Sequence, residues 1–410
     1  MSAIDVEQAA LRRSRAALAA LLRVMMISML GFGVIVPLLP FYARSFGAPG
    51  WQIGLLFSAY PAGSFFGEPF WGRLSDRVGR KPLLVSTIAA NCLCFLGLAF
   101  APNIAVGCLV RFLGGFAGGN GSVTSSYIAD VTPAPYRAGR MAVLGAAYNA
   151  GFIFGPGLGG LLARPGDGPA GYQLPLLVAA ALAAVSAVGI ILFVRESRDR
   201  PQRAQVQSGP WRMTGDALGH PVVGRLMILT FVAGLAFNGI ESTFGFWAMG
   251  RYGWTPVNVG FCFTAAAIAA AAGQVLLTGA LSRRFGNAAM LGFGIAVTAL
   301  CLASQPLAPS GAATVVIMAA MSLGQSLSYP NTAALISLAA DPDNQGQMLG
   351  LNNAMDAVSR LVGPQVALAL FAWRANAPFW AGAAVLAPTI LLALAAGRRA
   401  GGSAWRARAG

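Results

Sequence analysis

Charge is scarce in this chain. Only 10% of its 410 residues are Asp, Glu, Lys or Arg, while 56% are hydrophobic. A soluble domain carries roughly 25% charged residues to cover its surface, so lipid is the solvent for most of this one. Lysine and histidine are nearly missing, with one of each, Lys81 and His220. The five cysteines (Cys92, Cys94, Cys108, Cys262, Cys301) all fall inside apolar runs. An odd number placed there does not make a disulfide framework, and small hydrophobes is the better reading. Cys92 and Cys94 are two apart and sit on different faces of a helix. With no His/Cys/Asp cluster and no phosphate-cradling glycine–lysine loop, neither a metal nor another cofactor is expected. No catalytic constellation stands out, so an enzyme is not expected either. Residues 1–15 are polar and basic, but the run that follows is too long for a signal-peptide core and has no clear cleavage site.

What the chain has in quantity is long apolar runs. They cover about 17–41, 51–71, 82–101, 104–128, 140–163, 172–194, 223–248, 257–280, 288–308, 311–337, 347–372 and 378–397. A spanning helix needs about 20 apolar residues, and proline or glycine inside one (Pro37, Pro40, Pro156, Pro364) is tolerated in a membrane. The expected fold is an all-α membrane protein with twelve transmembrane helices.

A net charge of +15 would suit a nucleic-acid binder, but the placement of the charges argues otherwise. Sorted by alternate sides of the runs, 22 of the 28 basic residues fall on one side and 4 on the other; Arg111 and Arg360 lie within runs. Basic loops stay in the cytoplasm. Both termini are therefore expected there, and the alternation supports an even number of spans.

The charged stretch 196–222 divides the chain into bundles 1–195 and 223–410. The two look like copies. Gly54 matches Gly260 at an offset of 206; Gly72, Leu74, Ser75 and Gly79 match Gly279, Leu281, Ser282 and Gly286 at 207; Gly155-Pro156 matches Gly363-Pro364 at 208. Two pseudo-symmetric six-helix repeats are what a rocking carrier uses, with substrate near the midplane.

Two motifs sharpen this. The stretch Gly72-Arg-Leu-Ser-Asp76-Arg77-Val-Gly79-Arg80-Lys81-Pro82 resembles, at almost every position, the loop 2–3 signature of the major facilitator superfamily. The resemblance extends over nearly the whole chain. Arg111-Phe-Leu-Gly-Gly115 is similar to the fourth-helix signature, whose arginine is implicated in proton transfer, though Gly114 stands where glutamine is usual. Gly151, Gly155, Pro156, Gly159 and Gly160 resemble the fifth-helix signature typical of exporters. Gly31 to Pro40 is similar to the first helix of twelve-helix drug:proton antiporters, including tetracycline exporters, with Ser28 near the place where many carry aspartate. The resemblance implies that Asp76 meets the N-terminus of the eleventh helix, near Gly346–Met348. A carboxylate is favoured at a helix N-terminus, so breaking this contact on closure would give a two-state latch. Arg283 takes the place of Asp76 in the second copy, where no such latch is expected.

Charge in the bilayer costs on the order of 3 kcal/mol per residue, so each intramembrane charge needs a reason. Glu241 is the leading proton carrier, because a lone carboxylate in low dielectric takes a proton more readily; the alternative is a structural partner for Arg111 or Arg360. Asp356 and Arg360, four apart, face each other on a helix and read as a structural pair. Glu68 is expected to snorkel toward Arg73 or Arg77, and Asp130 to brace Arg137 or Arg140. A bend at Pro156 is expected to shape the interface between the halves. Pocket candidates are Phe32, Tyr60, Tyr148, Asn149, Asn238, Phe244, Trp247, Gln325, Tyr329, Asn352 and Asn353, a mixture that suits a lipophilic substrate better than a sugar. The reading is a monomeric, proton-coupled exporter of small lipophilic molecules in a bacterial inner membrane, without nucleic acid. The alternatives are a carrier of one metabolite in either direction, a lipid translocator, or a receptor on the same scaffold.

Overall fold

The computed structural model describes residues 3–132, 137–197, 222–340 and 345–406, and the described residues hold helices and no strand. Most of the expected linker, with His220, lies outside them. The first part of the chain forms α1 (Ala3–Ile35), α2 (Leu39–Ser45), α3 (Gly50–Val78), α4 (Arg80–Ala99), α5 (Ile104–Gly118), α6 (Gly121–Val131), α7 (Arg137–Leu162) and α8 (Gln173–Phe193). The second forms α9 (Val223–Tyr252), α10 (Pro256–Ala272), α11 (Gly279–Phe285), α12 (Asn287–Ser304), α13 (Gly311–Ala339), α14 (Gln345–Trp373) and α15 (Ala377–Arg406). Among the described residues, nine helical segments are long and apolar enough to cross a membrane. The segments α3 and α7 are of spanning length too, with 29 and 26 residues, but are not among the nine. Large apolar side chains stay uncovered on the surface, including Phe154 (68% exposed), Leu276 (68%) and Leu391 (70%). Exposure of this kind marks a surface that meets lipid.

Three of the expected spans are interrupted. Pro37 and Pro40 place a 3-10 turn, Val36–Leu38, between α1 and α2, because proline lacks the N–H that continues an α-helix. A wide turn of π-helix, Gly273–Thr278, joins α10 to α11. The fourth span breaks at Gly119-Asn120 between α5 and α6. A broken helix frees carbonyls that bare lipid cannot satisfy, and α3 supplies the donors. Ser64 Oγ donates to Gly115 O at 3.1 Å, and Trp71 Nε1 donates to Phe116 O at 2.6 Å.

The chain divides into two compact units. The first holds Met1–Gln52, Ala59–Val206 and Pro256–Phe261; the second holds Ile53–Ser58, Gln207–Thr255 and Cys262–Gly410. In the first, α1 packs on α7 and α8, and α4 packs on α5 and α8. In the second, α9 packs on α14 and α15, and α12 packs on α13 and α15. These are the same four pairings in the order of the repeat. The punctuation repeats as well. Asn103 caps α5 by accepting from Val106 N at 3.0 Å, and Ser310 caps α13 by accepting from Ala313 N at 3.2 Å. Gly79 precedes α4 with φ 108° and Gly286 precedes α12 with φ 85°. Only glycine enters that region at no cost, which explains why this pair survives as a landmark.

Candidate functional site

The charged turn after α3 is built around Arg80. It is the first residue of α4, and its side chain turns inward until the residue is 3% exposed. The guanidinium pairs with Asp76 at 2.8 Å and with Asp130 of α6 at 3.1 Å. It also donates to Ser75 Oγ, whose hydroxyl donates to Gly72 O at 2.7 Å. A buried charge is tolerable only when paired in this way, and the planar arginine fork serves several acceptors at once. Asp130, expected to brace Arg137 or Arg140, pairs with Arg80, brought within reach by its place at the head of α4. Ser197 Oγ donates to the same carboxylate at 3.2 Å. The side chain of Arg137 lies outside the described residues. Arg73 and Arg77 are exposed. The carboxylate of Glu68 lies beside the start of α6, where Oε1 would be 3.9 Å from a Cβ on Gly121.

Sequence reading missed Glu196. Its carboxylate accepts from Arg80 N at 2.9 Å and from Lys81 N at 3.1 Å, so it caps α4 from the far end of α8. Lys81 Nζ donates to Ile191 O at 2.7 Å, and Tyr127 OH donates to Arg195 O at 2.8 Å. The start of α4 and the ends of α6 and α8 are therefore tied together. The available signal was the first of two acids in the basic run Arg195-Glu-Ser-Arg-Asp-Arg. In the second copy the corresponding tie is neutral: Ser282 Oγ donates to Asn331 Oδ1 at 2.9 Å, and Arg283 is exposed.

In the second unit, α9, α13 and α14 bring several candidates together. Arg360 donates to Asp356 Oδ2 from Nε at 3.0 Å and from Nη2 at 2.8 Å. Glu241 and Tyr329 come close enough to act on Arg360 electrostatically. Tyr329 OH donates to Asn353 Oδ1 at 3.4 Å, and Gln325 is half-buried one turn earlier on α13. Glu241 also opens onto a small cavity lined by Phe237, Phe263, Met318, Met321 and Ser322, none of them singled out in the sequence.

Other candidates are engaged in packing. Asn238 donates to Gly234 O at 2.7 Å and to Ser359 Oγ at 3.2 Å, while Asn352 Oδ1 accepts from Thr230 Oγ1 at 2.7 Å. These bonds lace α9 to α14. Phe244 (0% exposed) and Trp247 (2%) sit in an aromatic core with Trp254, Phe263 and Phe379. Trp247 Nε1 is anchored on Asn376 Oδ1 at 2.8 Å.

In the first unit, Arg111 is 5% exposed, with its guanidinium 4.7 Å from the Tyr60 ring centre and 6.0 Å from that of Phe32. Those two rings stack at 5.1 Å. Tyr148 hydrogen-bonds Thr124, and Asn149 beside it is exposed. The fifth-helix glycines form a seam. A Cβ on Gly151 would lie 2.2 Å from Met26 O, one on Gly155 2.6 Å from Gly33, and one on Gly159 2.1 Å from Val34 O. These three hold α7 against α1 inside one unit. Gly160 and Pro156 meet the segment Pro256–Gly260 of the same unit, at 2.6 Å and 2.3 Å by the same measure.

The fold and these motifs have counterparts. The family model described as Major Facilitator Superfamily matches residues 21–287 and 226–409. The chain is 29% identical to the class C tetracycline resistance protein of Escherichia coli, over 94% of this chain and 98% of that one. It is 28% identical to multidrug resistance protein 2 of Bacillus subtilis (strain 168), over 86% and 88%. It is 24% identical to the quinolone resistance protein NorA of Staphylococcus aureus, over 86% and 89%. Among solved structures, it resembles the human organic anion transporter MFSD10 with a TM-score of 0.69 and 21% identity, over 93% of this chain and 99% of that one. It resembles a bacterial homologue of the human lysosomal transporter Spinster, in an inward-facing and occupied conformation, with a TM-score of 0.73 and 16% identity, over 93% and 96%.

Proposed function

The chain belongs to the Major Facilitator Superfamily and is a multi-pass membrane transporter rather than an enzyme; on that premise we propose that it exports small lipophilic molecules across a bacterial inner membrane in exchange for protons. The observation that carries this reading is the setting of Glu241. A carboxylate beside Arg360 and Asp356, opening onto a cavity lined by Phe237, Phe263, Met318 and Met321, offers one negative charge among aromatic and thioether groups. As it stands the cavity has room for little more than a water, so in this reading it is the closed edge of a site that widens as the carrier opens; its lining suits an apolar molecule, above all one with a cationic group, because aromatic faces and a carboxylate both attract cations. A proton and a substrate then compete for the same carboxylate, which is enough to couple their movements in opposite directions.

Export is favoured by the relatives, which are all resistance proteins, and by the fifth-helix signature. The Arg80 cluster is the working latch in this reading. Asp76 alternates between Arg80 and the N-terminus of α14 as the halves rock, with both termini in the cytoplasm.

The test is flux in proteoliposomes under an imposed pH gradient, with wild type compared with Glu241→Gln across several unrelated lipophilic compounds. Gradient-driven flux lost in the variant is the expected result. Undiminished flux in Glu241→Gln would move the proton to Asp356. Absence of flux across the whole panel in wild type would overturn the drug-export reading and point to one metabolite, a lipid or a receptor role.

A further inference from the structure

A second small cavity lies in the first unit, between α4 and α5. Tyr60, Asn91, Cys94, Phe95, Arg111 and Gly114 are among the residues lining it. Asn91 is 8% exposed, and its Oδ1 is buried without a hydrogen-bond partner. A buried acceptor left in that state is costly, and a folded protein normally meets such a need with an internal water. The space exists because position 114 is glycine. A Cβ there would stand 3.3 Å from Cys94 Cβ and 3.6 Å from Asn91 Oδ1, so an ordinary side chain would enter the cavity. The fourth-helix signature carries glutamine at this place. Here the carboxamide comes from the opposite wall, on α4, and the room left between is the size of a water.

We propose that Asn91 is a positioning residue for Arg111, acting through one water held in this cavity. The water donates to Asn91 Oδ1 and accepts from the guanidinium one turn before Gly114. Hydrogen bonding to the charged form keeps the guanidinium head fixed over the Tyr60 ring, 4.7 Å away. Titratable groups around Arg111 include Tyr60 from α3, Cys94 from α4 and Cys108 from its own helix. None of the residues lining the cavity is acidic, so the water and Asn91 offer the guanidinium neutral oxygen acceptors there. The consequence for transport rests on the proposed function, whereas the consequence for stability does not.

The experiment compares full-length wild type with Asn91→Leu, Asn91→Ala and the pair Asn91→Ala/Gly114→Gln, which moves the carboxamide across the cavity. Two readouts are taken: the melting temperature of the purified protein, which needs no substrate, and pH-gradient-driven flux from pH 5.5 to 8.5. Both single variants are expected to melt earlier and to lose flux about tenfold, the scale of one hydrogen bond to a charged group. Their pH profiles should be displaced from that of wild type. The pair is expected to regain both readouts. If Asn91→Leu keeps wild-type flux and pH profile, or if the pair does no better than Asn91→Ala, the proposal is overturned. If the melting pattern holds while no compound is carried even by wild type, the cavity assignment stands and the transport reading fails.

Discussion

The seam between α7 and α1 makes a sharp prediction, because one helix carries both the test and its control. Carbon atoms pack against neighbours at about 3.5–4.0 Å. Alanine at 151, 155 or 159 would place a Cβ 2.2, 2.6 or 2.1 Å from the backbone of α1, so the helices must separate by more than 1 Å. Backbone cannot swing aside as a side chain can. Overpacking of this kind costs about 1–3 kcal/mol per site, and a gap of that width also forfeits a quarter to a half of the dispersion energy along the seam. Gly145 lies on the same helix, and a Cβ there meets nothing within 4 Å. There alanine brings only its better helix propensity, a gain of about 0.8–1 kcal/mol at most. The assay is the melting temperature of each purified variant, followed by thiol-reactive dye or by loss of the monodisperse chromatographic peak. At about 2–4 °C per kcal/mol for a unit of this size, Gly151→Ala, Gly155→Ala and Gly159→Ala should each melt at least roughly 2 °C below wild type, while Gly145→Ala melts with it or above. Equal melting of Gly155→Ala and Gly145→Ala would refute the claim that contact with α1 is why the glycines are there.

Glu196→Ala removes the acceptor of two N–H groups at the head of α4; because the site is exposed and water can replace it, the cost should be about 1 kcal/mol, typical of a lost cap, and measurable by the same melting assay. Arg80→Ala should be far worse, about 3–5 kcal/mol, because it strips Asp76 and Asp130 of a buried partner; a mild effect would mean that the cluster is not held by Arg80. Arg360 and Asp356 pair at 2.8 Å within the span of α14, so Asp356→Ala leaves an unpaired intramembrane charge and should cost about 3 kcal/mol rather than the 0–1 kcal/mol of a surface pair, and a double-mutant cycle with Arg360→Ala should return a clearly measurable coupling.

The spans were legible because lipid leaves little choice: a run of apolar residues near 20 long must be a helix. Gly79 and Gly286 were legible as a repeat because a positive φ admits few other residues. The Asp356–Arg360 pair followed from helical spacing alone. The break in the fourth span did not, since a glycine-rich helix and a broken one look alike until the donors Ser64 and Trp71 are seen on a neighbouring helix. Glu196 escaped for the same reason. Its role depends on where the end of α8 lands, more than a hundred residues from the amides it caps. Phe244 and Trp247 looked like pocket residues by type, and only their neighbours show them to be core.

The break between α5 and α6 has a consequence for how the chain is made. Its carbonyls at Gly115 and Phe116 accept from Ser64 and Trp71 of α3, which the ribosome delivers first, so these donors are already in the membrane when the interrupted span arrives. That span is also among the least apolar of the nine, and alone it would enter lipid without the donors of α3. Order of synthesis thus becomes part of the fold. A chain beginning after α3 is expected to insert its α5–α6 segment poorly in a translocon assay, and restoring α3 ahead of it should recover insertion unless Ser64 and Trp71 have been replaced.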